Sequence, residues 1–267
     1  MKKECCVLSA SAMKGVSMKV MRIVVVTCAV LAATSSVAWA DIILVNSINQ
    51  PVSPATNVAA SFTNLGAQGF GAAPRLLTLQ TNGVETGSVT PIDVTNGDAV
   101  PGANKSTTPT LATLGWDAGN RVGIGFNSDQ TGGSGITLQS LQLRIFNGTT
   151  QVGPTFSLAA SITPLQFSAA DLSLQQGNGN AVFNFGLNAA EQAAFNAIVA
   201  MAGSSGFRAG LTSTLGCPAG APPSCNPSND GPDTFIGFRQ NIPEPASIVY
   251  LGVALLALGY VRKRMVS

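Results

Sequence analysis

Between Ile42 and Phe238 the chain is a succession of strand-length runs in which apolar residues alternate with small or polar ones. Val122-Gly-Ile-Gly-Phe126, Ile136 to Phe146, Ala181-Val-Phe-Asn-Phe-Gly-Leu187 and Thr234-Phe-Ile-Gly-Phe238 all have this form. A period of two places every second side chain on one face, and a pleated strand is the element that can half-bury such a face. In the second run Ile136 and Leu138 lie in one phase and Leu141, Leu143 and Ile145 in the other. The change at Gln139-Ser140 predicts a bulge or bend in one long strand. Asn147-Gly148 follows at once and an extended pattern resumes from Gln151 to Leu158, which makes this pair the clearest hairpin in the chain. Further strands are expected at Ile42 to Val45, Ala59 to Phe62, Arg75 to Gln80 and Gly87 to Val94. The separators are clusters of Gly, Asn, Pro, Ser and Asp, residues that supply turn conformations.

One segment departs from this pattern. Asn188 stands as an N-cap with Glu191 three residues later, an Ala-rich interior follows, and Gly203 marks the stop. The spacing predicts a helix over about 189–202, with Glu191 returning the cap and with Phe195, Ile198, Val199 and Ala202 on the packed face. The expected fold is mostly β: a β-sandwich or jelly roll with this one inserted amphipathic helix. Only 10% of residues are charged, yet regular strand-sized apolar runs argue for a packed core and against disorder.

The 267 residues contain no histidine, which excludes Ser-His-Asp and Cys-His hydrolases and any imidazole-dependent metal site. No cofactor is expected. From residue 41 to 241 acids outnumber bases ten to six, so nucleic acid is not an expected partner. Carboxylate catalysis would need two of these acids to converge in a cleft with one held neutral. Asp93, Asp98, Asp129, Asp230 and Asp233 instead sit in turn contexts, where bonding to the local backbone explains them. Asn229, Asp230 and Asp233 could together offer oxygens to calcium, although the EF-hand loop pattern is lacking. Trp116 and Phe126, near Asp117 and Arg121, could stack on a sugar, but aromatic residues of a sandwich more often fill its core.

Residues 1–40 read as a secretory signal peptide. Lys19 and Arg22 precede an eleven-residue apolar run, Ile23 to Ala33, followed by polar residues and Ala38-Trp39-Ala40, with cleavage expected between Ala40 and Asp41. The run is too short to span about 30 Å of hydrocarbon. Met13 and Met18 are alternative starts; from Met18 the signal would have 23 residues and would exclude Cys5 and Cys6. Export leaves Cys217 and Cys225 in an oxidising compartment, flanking a Pro- and Gly-rich loop, and a disulfide between them is expected. Closing nine residues contributes about 2.6 kcal/mol in the chain-entropy treatment, reduced here because Pro218, Pro222 and Pro223 already stiffen the unfolded loop.

The tail, residues 242–267, has three parts in order: Pro243-Glu244-Pro245, an apolar stretch over 246–261 and the basic cluster Arg262-Lys263-Arg264. The prolines hold the junction extended outside a helix. Sixteen residues make about 24 Å of helix, slightly short of a bilayer core of about 30 Å, a gap that local thinning and snorkelling of Arg262 and Lys263 can close. The basic cluster stays cytoplasmic, like the basic end of the signal peptide, so a transmembrane helix here would leave residues 41–241 outside.

This arrangement closely resembles the PEP-CTERM sorting signal over residues 243–264. The resemblance implies export, transient anchoring in the inner membrane of a Gram-negative bacterium and processing by an exosortase-type membrane enzyme, before delivery to the cell surface or extracellular matrix. It makes Pro243, Glu244 and Pro245 the recognition residues of a substrate. For the body it implies no activity. A structural or adhesive role against exopolysaccharide suits the uncharged Thr, Ser, Asn and Gln surface; the alternative is a secreted carbohydrate-active hydrolase using Asp117, Asp129, Asp230 and Asp233.

Overall fold

The computed structural model describes residues 41–47, 49–53, 58–65, 73–130, 134–174, 181–218, 220–222, 225–229 and 231–240. The signal segment with Ala38 and Ala40, the tail with Pro243, Glu244, Pro245, Arg262, Lys263 and Arg264, and Asp230 lie outside them. No helix among the described residues is long and apolar enough to cross a membrane.

The strands are β1 (Ile42–Leu44), β2 (Phe62–Asn64), β3 (Arg75–Leu79), β4 (Val84–Thr90), β5 (Val94–Gly97), β6 (Val122–Asn127), β7 (Ile136–Asn147), β8 (Thr150–Ser157), β9 (Leu165–Phe167), β10 (Ala181–Leu187), β11 (Arg208–Gly216) and β12 (Asp233–Arg239). They form two six-stranded sheets. The first runs β1-β10-β6-β12-β3, with β2 also on β10; the second runs β5-β4-β11-β7-β8, with β9 also on β7. Every pairing of these strands is antiparallel.

The two sheets share one core. Phe126 of β6 stacks on Phe235 of β12 at 4.8 Å and meets Phe167 of β9, in the other sheet, at 5.2 Å. Phe167 in turn touches Phe183 of β10 at 4.7 Å. Such offset and tilted ring pairs add roughly 0.5–1.5 kcal/mol each beyond the area they bury, and here they join sheet to sheet.

The long strand β7 has the expected irregularity. Ser140 pairs with Thr214 and Leu138 with Leu215, so Gln139 is the extra residue of a bulge that restores Ile136 and Leu138 to the core face. The hairpin to β8 turns at Gly148, whose φ is +59°. Three expectations need correction. Ala59 to Phe62 is mostly a 3-10 turn, Val58–Ser61, with the strand beginning only at Phe62. The run from Gly87 to Val94 is broken at Pro91 to Asp93, where the chain turns from β4 into β5. The central strand β11, absent from the expected set, pairs with β4 and β7 together.

Among the described residues three α-helices accompany the sheets: α1 (Leu111–Leu114), α2 (Ala169–Ser173) and α3 (Ala189–Val199). Helix α3 is the expected one, and it ends earlier than 202 because Ala200 already caps it. Asn188 Oδ1 accepts from the N–H groups of Ala190 and Glu191, as expected of its cap. Phe195 and Ile198 are buried, Val199 is half-buried and Ala202 is exposed. Phe195 packs edge-on against Trp116 and tilted against Phe156, and thereby closes one end of the core.

That end is also where the described domain begins and finishes. Leu44, Phe185, Ile124 and Gly237 lie in register across β1, β10, β6 and β12. From this row β1 leads back to Asp41 in the direction in which β12 leads on to Gln240. Asp41 O accepts from Asn188 N at 3.1 Å, and Gln240 N donates to Arg121 O at 3.0 Å.

Candidate functional site: a buried acid pair beside the disulfide

At the opposite end two carboxyl groups converge inside the protein. Glu85 follows the turn from β3 into β4 and shares its inward phase with Gly87 and Val89. Asp233 opens β12. Both are 0% exposed. The turn explanation of Asp233 is therefore replaced: its carboxylate lies in the interior and is solvated by protein. Asp233 Oδ1 accepts from Ser128 Oγ at 2.5 Å, Asp129 N at 3.3 Å and Gln130 Nε2 at 3.2 Å. Its Oδ2 accepts from Gln130 Nε2 at 3.1 Å and Ser228 Oγ at 3.4 Å.

Glu85 is less well served. Its Oε1 accepts from Thr81 N at 2.7 Å, while Oε2 has no donor among the described residues. A buried carboxylate oxygen without a donor favours the protonated acid, which then donates to Asp233. Burial, followed by the negative charge of Asp233, pushes Glu85 up to about 8. Burial also raises Asp233, to about 6, against the pull of its hydrogen bonds from Ser128, Glu85, Gln130 and Asp129. The two titrate as one pair, with Glu85 the member that keeps its proton to higher pH.

Around the pair the backbone is tied into a knot. Gly83 N donates to Ser228 O, and Gly83 O accepts from both Ser228 N and Cys217 N. Asn229 N donates to Gln130 Oε1, which orients the amide that serves Asp233. Cys217 and Cys225 are disulfide-bonded with their Cα atoms 5.9 Å apart, as expected from the sequence. Gln139, the bulge residue of β7, donates to Gly216 O and contacts Cys225 Sγ. Gly216 enters the disulfide loop at φ +78° with the Gly83 backbone against its Cα, so a side chain there would be both strained and obstructed.

A neutral acid beside a carboxylate is the protonation split that glycoside hydrolysis uses. Here neither carboxyl reaches the surface, so a sugar cannot approach either one in this conformation. Of the calcium candidates, Asp233 accepts hydrogen bonds from Ser128, Asp129, Gln130 and Ser228, and Asp230 lies outside the described residues. Among the described residues no cluster of three Cys, Asp or Glu could hold a metal ion.

The remaining sequence candidates are dispersed. Asp117 forms an exposed ion pair with Arg239 at 2.8 Å, worth little in water. It sits at the rim of an apolar hollow of about 360 Å³ bounded by Leu111, Trp116, Val199 and Ser204. The sugar-stacking patch is not formed: Trp116 and Phe126 are core residues, and Trp116 Nε1 donates to Phe238 O. Asp93 receives Thr108 N and Oγ1, and Asp98 receives Thr86 N. Asp129 contributes its backbone N–H to the acid pair.

Sequence reasoning missed Glu85, Ser128 and Gln130. For Glu85 a signal existed: it occupies the same strand phase as Val89, a core position that a charged residue seldom holds. Ser128 and Gln130 carry no such signal, since both stand in an ordinary turn sequence. No family model matches the chain, and comparison with curated proteins and with solved structures likewise gives no match.

Proposed function

We propose that this is an exported protein of the cell surface or extracellular matrix, anchored in the inner membrane as a precursor and released when an exosortase-type enzyme processes its C-terminal sorting signal. The observation that carries the reading is the ordered tail: Pro243-Glu244-Pro245, a sixteen-residue apolar stretch and Arg262-Lys263-Arg264, which resembles the PEP-CTERM signal throughout. Two features of the body support it. Asp41 and Gln240 leave the domain at the same end, as a body held between two segments entering one membrane requires. The Cys217–Cys225 bond suits an oxidising compartment.

The body itself we read as a β-sandwich with a structural or adhesive role, presenting Thr, Ser, Asn and Gln to exopolysaccharide. The hydrolase alternative draws no support from the geometry. Of its candidates, Asp117 is paired at the surface, Asp129 lends a backbone N–H, and Asp233 is enclosed with Glu85.

Substituting Glu244→Ala in the full chain tests the sorting step by fractionation of cells. The altered protein is expected to accumulate in the membrane with its tail intact while the body folds normally. Undiminished delivery of Glu244→Ala to the surface would overturn the proposal.

A further inference from the structure

Helix α3 carries a second buried acid that the acid pair does not involve. Glu191 is 1% exposed, and its Oε2 has no hydrogen-bond partner among the described residues. The capping box expected from the sequence would have given it the N–H of Asn188. That donor is taken, because Asn188 N donates to Asp41 O at 3.1 Å. The same bond seats the start of β1 on the first turn of α3, where Asp41 adds its own negative charge. Burial, then the Asp41 carboxylate, raises Glu191 to about 7. On the elements packed against this helix turn the other charged group is Arg121, whose guanidinium donates to Gln240 O. Among the described residues the Glu191 carboxyl thus has a buried oxygen without a partner, and the Asp41 residue whose charge opposes it is bonded through its carbonyl to the N-cap of the same helix.

We propose that removal of the signal peptide completes this site: the α-ammonium freed on Asp41 pairs with the Glu191 carboxylate and fixes the first strand of the mature domain to α3. The inference rests on the export reading, in which a signal peptidase cuts between Ala40 and Asp41. In that step water is consumed and the Ala40–Asp41 C–N bond breaks. Hydroxide completes the Ala40 carboxyl, a hydrogen passes to the Asp41 nitrogen, and the resulting amine takes up a further proton from solvent. An ammonium at a helix N-terminus is ordinarily disfavoured by the helix dipole. The two carboxylates outweigh that effect, because a buried unpaired acid is the larger liability.

The test uses the protein exported by its own signal and purified from the cell exterior, with its first residue read by N-terminal sequencing. Isotope-labelled dimethylation of the α-amine then reports its titration by NMR. The pairing predicts an α-amine pKa at least one unit above the usual range of about 7.7–8.0, a tenfold or greater gain in proton affinity. Glu191→Gln is expected to abolish the gain. Should that variant fail to fold, selective acetylation of the wild-type terminus replaces it. Acetylation is expected to lower the urea midpoint at pH 7 and to leave it unchanged at pH 11, where the free amine is neutral. An Asp41-first protein with an ordinary amine titration, or with an elevated one that Glu191→Gln does not alter, overturns the pairing alone. An unaltered midpoint after acetylation does the same. A mature chain beginning at another residue overturns the export cut and the pairing with it.

Discussion

A carboxyl group shut away from water keeps its proton unless donors or a cation replace the solvent, and among the described residues Glu85 Oε1 accepts from Thr81 N while Oε2 has no hydrogen-bond partner. Asp233, with four donor groups around it, is the member of the pair better able to hold charge. The consequence is a stability that depends on pH in a definite direction. In the unfolded chain Glu85 and Asp233 titrate near 4.5 and 3.8; in the folded protein they reach about 8 and about 6. Between these limits the native state binds more protons than the unfolded state, so the pair's contribution is full below the unfolded values and is lost progressively as pH rises through them to about 8. Glu85→Gln keeps an N–H donor toward Asp233 and removes the titrating acid. Urea midpoints measured from pH 5 to 9 should fall with pH in the wild type. In Glu85→Gln they should fall much less, leaving the variant the more stable protein at pH 9. Parallel curves for the two proteins would show that Glu85 does not hold a proton in the fold.

Helix α3 acts as a lid on one end of the core, and its contribution comes from Phe195, wedged between Trp116 and Phe156. Phe195→Ala removes a fully buried ring and should cost about 3–5 kcal/mol, read as a lower urea midpoint with unchanged m-value; a cost under about 1 kcal/mol would mean that the helix is not part of the cooperative core. The existence of this helix was legible because Asn188 caps it locally and an Ala-rich, 3.6-period stretch interrupts the strands. The irregularity in β7 was legible for a similar reason, since the change of apolar phase at Gln139-Ser140 called for a bulge or a bend, and the structure has the bulge. Strand β11 was hidden because the buried Ser213, whose hydroxyl donates to Ser140 O, stands in the apolar phase of Ala209, Leu211 and Leu215. The acid pair was hidden for a different reason. Asp233 sits in Asp-Gly-Pro-Asp, which reads as a turn, and only the pairing of β12 with β3 and β6 turns its carboxylate inward. The sequence of α3 likewise could not reveal that the Asn188 N–H, needed by Glu191 for its capping box, is claimed by Asp41 at the start of the neighbouring strand β1.

On the scale of the molecule, the two ends of the domain have different characters. One end gathers the disulfide, the bulge and the acid pair into a closed polar knot; the other holds both chain exits, with α3 lying beside them. Gln240, the last described residue, is itself buried, its amide bonded to Asn184 and its N–H to Arg121 O. The folded body is thus anchored up to the residue that precedes Asn241-Ile242 and the Pro-Glu-Pro junction, and the proposed cleavage falls beyond it. A processing enzyme in the membrane could cut there without unfolding the domain. The measurement that bears most directly on this account is the intact mass of the protein recovered from the cell surface. A species beginning at Asp41 and ending near Pro243, with Cys217 and Cys225 oxidised, is the predicted result. A surface species that retains Ile248 to Arg264 would contradict it.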